Sequence, residues 1–143
     1  MPTEDMQENT PTFEYAIVCD DIRHEIGDKF SLIGVYGSDI CVARIPFSFP
    51  KLGAVISYRN MRAGDRFVVE LQSPSGKVLG DGIRGEVPIE VEGAIRFMIF
   101  GVMSPVRVEE AGLHKLVVLI NENEETRKEV PLKITAAPTR VVH

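Results

Sequence analysis

EYAIVCDDIRHEIGDKFSLIGVYG, residues 14–37, joins two apolar runs through a knot of charge. Phe13, Tyr15, Ile17 and Cys19 alternate with Glu14, Ala16, Val18 and Asp20; Phe30, Leu32, Gly34 and Tyr36 alternate with Ser31, Ile33, Val35 and Gly37. A period of two sends successive side chains to opposite faces, the mark of a half-buried strand. Gly27-Asp28 supplies tight-turn chemistry, so the stretch is a strand, a turn and a strand. Ile22 and Ile26 demand burial inside the knot, so its residues are expected to be partly extended.

The same period recurs outward from this stretch. Leu52, Ala54, Ile56 and Tyr58 share a face, as do Phe67, Val69 and Leu71, and Val87, Ile89 and Val91. Ala94 to Val102 is apolar on both faces except at Arg96, which predicts a central strand covered twice; Leu113 to Ile120 is similar. Thr126 to Ile134 turns Val130, Leu132 and Ile134 inward, and Pro131, lacking a donor, requires an open side there. Ser73-Pro74-Ser75-Gly76-Lys77 is a turn, residues 121–125 a polar hairpin loop, and Ile45-Pro46-Phe47-Ser48-Phe49-Pro50 a crossover lying along an edge. No segment of ten residues sustains a helical period.

The expected fold is therefore all-β, an antiparallel two-sheet β-sandwich of about seven to nine strands with little helix. Gly112-Leu113-His114-Lys115-Leu116-Val117-Val118-Leu119-Ile120 resembles the penultimate strand of immunoglobulin-like domains, with His114 where a Tyr usually bonds backbone at a corner. An immunoglobulin-like arrangement, with His114 as a structural corner group, is what that resemblance implies.

The chain has 143 residues, the size of one domain. A single unit is expected over residues 13–135, with a disordered tail at 1–12 and a short one at 136–143. Scattered cations and a net charge of −5 argue against nucleic acid as a partner. The acidic opening is unlike a signal peptide, and no apolar stretch is long enough for a membrane span. A cytoplasmic, membrane-free setting is expected, with Cys19 and Cys41 as thiols and Cys19 a small buried hydrophobe.

Chemistry-bearing patterns are few. Gly80-Asp81-Gly82-Ile83-Arg84-Gly85 matches a dinucleotide-binding string, but Glu86 to Val91 that follows is β-branched and proline-interrupted. Without a helix N-terminus to hold the pyrophosphate, the glycines belong to an inter-strand loop. The knot places Asp20, Asp21, His24, Glu25 and Asp28 within nine residues. Carboxylate oxygens there could take calcium. Alternatively, His24 and Glu25 could join a distant carboxylate such as Asp39 or Asp81 around a transition metal. Arg23 and Lys29 can neutralise the same loop without a metal. No nucleophile–base pattern is present, so no catalytic residue and no cofactor is assigned.

Ala16 to Arg23 followed by Lys29 to Tyr36 resembles the opening of an uncharacterised bacterial all-β family that reads CDD-(I/V)-R-x-E and then G-K-(L/F)-(S/T)-L-(I/L)-G-V-Y. Here Gly27-Asp28-Lys29 stands at the Gly-Lys step. The resemblance implies a domain of unknown function and assigns no site. With catalytic motifs missing, the leading expectation is a non-catalytic module binding a protein partner or itself through sheet edges or rim loops. The alternative is a metal-binding domain built on Asp20, Asp21, His24 and Glu25.

Overall fold

Alternation resolves into eleven strands in the computed structural model, which describes residues 10–37 and 39–137. They are β1 (Thr12–Glu25), β2 (Lys29–Val35), β3 (Ile40–Val42), β4 (Phe47–Phe49), β5 (Leu52–Met61) and β6 (Arg66–Gln72). β7 (Val78–Glu86), β8 (Ile95–Met103), β9 (Val106–Val108), β10 (Gly112–Ile120) and β11 (Asn123–Ala136) complete the chain. The described residues include no helix, so none is long and apolar enough to cross a membrane. The strands form a four-stranded sheet in the order β2-β1-β5-β8, a five-stranded sheet in the order β3-β11-β10-β6-β7, and a ribbon of β4 and β9. All pairs are antiparallel except β3 with β11, which run parallel.

One apolar cluster draws on all three. Val18, Leu52, Ala54, Ile56, Tyr58 and Ile99 come from the first sheet; Val69, Leu71, Leu116, Val118, Ile120 and Ile134 come from the second. Phe49, Val106 and Val108 of the ribbon join them. Each such large side chain contributes about 1.5–3 kcal/mol when fully buried. His114 is buried on β10 with Nδ1 3.0 Å from the Gly112 carbonyl, so it does bond backbone.

Several expectations need correction. The doubly covered strand is β5, where Leu52 to Tyr58 are all buried, whereas β8 lies at the margin of its sheet. Residues 87–91 form no strand; Val91 donates instead to the Pro88 carbonyl in a turn. The glycine string beside them is not a loop but most of β7. The reason is close packing: Gly85 lies under the Phe67 ring, and Gly82 leaves no room for a Cβ beside the Val69 carbonyl. Phe47 to Phe49 pair with β9 and are not a bare crossover. Residues 121–125 shrink to a turn at Asn121 and Glu122, both at positive φ. Most of both expected tails lies outside the described residues, but Ala136 pairs with Val42 and Ala137 donates to its carbonyl, so the chain is held there.

The β1–β2 hairpin explains the knot. β1 pairs with β5 only as far as Cys19–Gly53, yet its pairing with β2 continues to Glu25–Lys29. The free half does not project away. Ile22 lies beside Gly53, and His24 and Phe30 pack on Phe100, at centroid distances of 5.4 and 5.0 Å. Phe100 pairs with Val55, which lies two residues beyond Gly53 along β5, and so is one strand across. The hairpin therefore bends at Asp20 and Gly34 and folds over the outer face of its own sheet. Gly34 has φ +67°, and a Cβ there would meet the Asp20 carboxylate, so glycine is required at the bend. Beneath this flap Cys19 and Val55 are fully buried although they face away from the main cluster. Ile26, expected to be buried, sits at the flap tip and is exposed.

Candidate functional site

A cleft of about 540 Å³ opens where the two larger sheets meet the ribbon. Asp20, Asp21, Tyr36 and Lys51 line it from the side of the four-stranded sheet. Ile40 to Ala43 line it from the five-stranded side, and Phe47, Phe49 and Pro50 complete the lining. Its size falls within the usual span of ligand sites, and an apolar lining with a few placed polar groups is their usual make-up.

Among the described residues β3 has a single sheet neighbour, β11. Val42 offers its carbonyl to Ala137 at 2.7 Å, so the main-chain groups of Val42 face β11. Main-chain groups point to alternate sides along a strand, which turns the N–H and C=O of Cys41 toward the open edge. Cys41 itself is exposed and lines the cleft. Among the described residues, an unpaired strand edge thus borders an apolar hollow.

The polar groups are held by their own bonds. Tyr36 donates its hydroxyl to Asp20 Oδ1. Burial first, then the Asp20 bond and charge, pushes the Tyr36 phenol up to about 12, so it stays a donor at neutral pH. Asp21 Oδ1 accepts from the Ile22 amide at 2.9 Å, and its Oδ2 lies 3.5 Å from Lys51 Nζ. Burial pushes the Cys19 thiol up, whereas it lies under the flap and outside the cleft.

The knot is divided by the bend. Asp20 and Asp21 reach the cleft; His24 is against Phe100 and Glu25 accepts from Ser31 at 2.7 Å. Asp28 is at positive φ in the flap turn, and Asp81 is exposed on β7. No three His, Cys, Asp or Glu side chains among the described residues are grouped to hold a metal ion. Tyr36, Cys41, Phe47, Phe49 and Lys51 were not singled out as site residues by sequence pattern. The signal available was the pair of phenylalanines two apart between Pro46 and Pro50.

Comparison with known proteins matches residues 14–135 to the model of a family of unknown function, DUF6941. The chain belongs to DUF6941. No curated protein matches this DUF6941 sequence. Among solved structures, it is similar to the Pseudomonas fluorescens alkylpurine DNA glycosylase AlkC bound to DNA containing an abasic site analog, at 10% identity and a TM-score of 0.41. That match covers 86% of the DUF6941 chain and 30% of the glycosylase chain, so the chain spans under a third of its length.

A second polar cluster lies at the other end of β1. Glu14 accepts from Ser57 at 2.7 Å and from Arg96 at 2.8 and 3.1 Å, with Arg59 3.5 Å away. The Arg96 and Ser57 bonds hold its carboxyl below the usual range. The bidentate contact ties β8 to β1 across β5.

Proposed function

We propose that this chain is a non-catalytic interaction module whose two larger sheets face each other as a sandwich and whose β3 edge takes an extended segment of a partner protein as an added strand. The observation that carries it is the coincidence of an open main-chain edge at Cys41 with an apolar cleft beside it. Added strands gain affinity from main-chain hydrogen bonds and selectivity from pockets for alternate side chains. Here Phe47, Phe49, Ile40 and Val42 supply the apolar pocket.

Cys41→Pro tests it. The substitution removes the one outward N–H of β3 while leaving the bonds to β11, so the melting temperature should hold within a few degrees. Fluorescein-labelled heptapeptides of alternating valine and variable residues are titrated by anisotropy. The expected result is binding to the wild type in the micromolar range and a loss of about tenfold or more in the variant, the value of one hydrogen bond that also sets register. Equal binding by a folded Cys41→Pro variant, or no binding of any peptide to the wild type, overturns the proposal.

A further inference from the structure

We infer, resting on that edge-binding role, that the segment received beside β3 carries an arginine with apolar residues two positions to either side, the arginine read by Asp20 and Asp21. The cleft lining holds two carboxylates, Asp20 and Asp21, against one ammonium, Lys51, so its formal charge is −1. Both acids are oriented before any ligand arrives, because Tyr36 holds one oxygen of Asp20 and the Ile22 amide holds one oxygen of Asp21. Each keeps acceptor capacity to spare. A carboxylate fixed in place binds a cation without losing further side-chain freedom, which is the gain of preorganisation.

Lys51 does not satisfy the pair. Its ammonium is 3.5 Å from Asp21 Oδ2, with more than half of its side chain exposed. An exposed pair at that distance contributes about 0–1 kcal/mol. A guanidinium offers several donors in a planar fork, can engage both carboxylates together, and is weakly hydrated, so it outcompetes a single ammonium. The Tyr36 ring in the same lining gives its flat face a surface to stack on. Apolar residues two positions to either side of the arginine share its face on an added strand, and these fit the Phe47, Phe49, Ile40 and Val42 pocket. The chain's net charge of −5 favours approach of a cationic segment from a distance.

The test uses three labelled heptapeptides that differ at one central position, arginine, norleucine or glutamate, together with free arginine methyl ester as competitor. On the wild type the arginine peptide should bind about tenfold or more tightly than the norleucine peptide, a margin typical of a hydrogen bond to a charged group. Glutamate should bind weakest. The preference should vanish in Asp20→Asn/Asp21→Asn, grow in Lys51→Ala, and shrink as salt is raised from about 0.05 to about 0.5 M. Lys51→Ala is read independently of any damage the double variant does to the fold. If the three peptides bind alike while Cys41→Pro still weakens them all, edge binding stands and arginine recognition is overturned. If none binds, both fall. If arginine methyl ester displaces the label as well as the arginine peptide does, a free guanidine is the ligand and the extended segment is wrong.

Discussion

Gly82 and Gly76 both have positive φ, +76° and +90°, but only one has neighbours. A Cβ on Gly82 would lie 2.8 Å from the Val69 carbonyl oxygen, whereas Gly76 faces open space. Gly76→Ala should therefore cost only the left-handed backbone term, about 1 kcal/mol, and Gly82→Ala about 2–4 kcal/mol because main chain must also move. Urea midpoints of the two variants check this, and equal shifts would contradict the close packing of β6 on β7. At this scale the sequence misled in an instructive way. Gly80, Gly82 and Gly85 could be seen, but their reason could not: Gly85 is set by the Phe67 ring and Gly82 by a carbonyl on the next strand. A glycine that serves a neighbour distant in sequence looks the same as one that serves a loop.

The β1–β2 hairpin is the element whose behaviour differs most from its pattern. Alternation made it two strands around a turn, and the Gly27-Asp28 turn stands where the pattern put it. The fold-back at Asp20 and Gly34 was not legible, because bending depends on what lies across the sheet, here Phe100 and Gly53. That packing makes a prediction. In the native protein Cys41 should react promptly with a thiol reagent, and Cys19, fully buried under the flap, should react only when the flap lifts. Phe100→Ala removes the ring that His24 and Phe30 pack on, and should speed Cys19 labelling about tenfold, the effect of losing about 1–2 kcal/mol of flap contact. Labelling of Cys19 at the rate of Cys41 in the wild type would show that the flap does not cover it.

At the scale of the whole molecule, four groups among the described residues shape pH stability beside the Cys19 thiol, which burial also pushes up. Tyr58 and Tyr36 titrate near about 12 when folded, against 10.0 for a free phenol, and burial is the largest cause in both. The folded chain thus binds more protons between those values, so this contribution is complete below about pH 10 and is lost as pH rises toward 12. Glu14 and Glu129 are shifted the other way, below 4.5, by bonds from Arg96 and from Arg127. Their contribution is complete above that value and is lost as pH falls through the folded range. Urea unfolding from about pH 3 to about pH 12 should give a plateau with a fall at each end. A Glu14→Gln variant should lose part of the acid limb and keep the alkaline one.

The alternation from Phe13 to Ile134 was enough by itself to determine an all-β chain with little helix and most strand positions, since a period of two is a local property that each strand carries alone. Tertiary structure decided the remainder. Ile40 to Val42 is too short to announce itself as a strand, and its open edge exists only because β11 occupies the other side. Asp20 and Asp21 part company with His24 and Glu25 because the bend falls between them and Phe100 draws the distal half away. The cleft joins side chains from four separate stretches, and what brings them together is the packing of two sheets and a ribbon on one core, which no single stretch of sequence encodes.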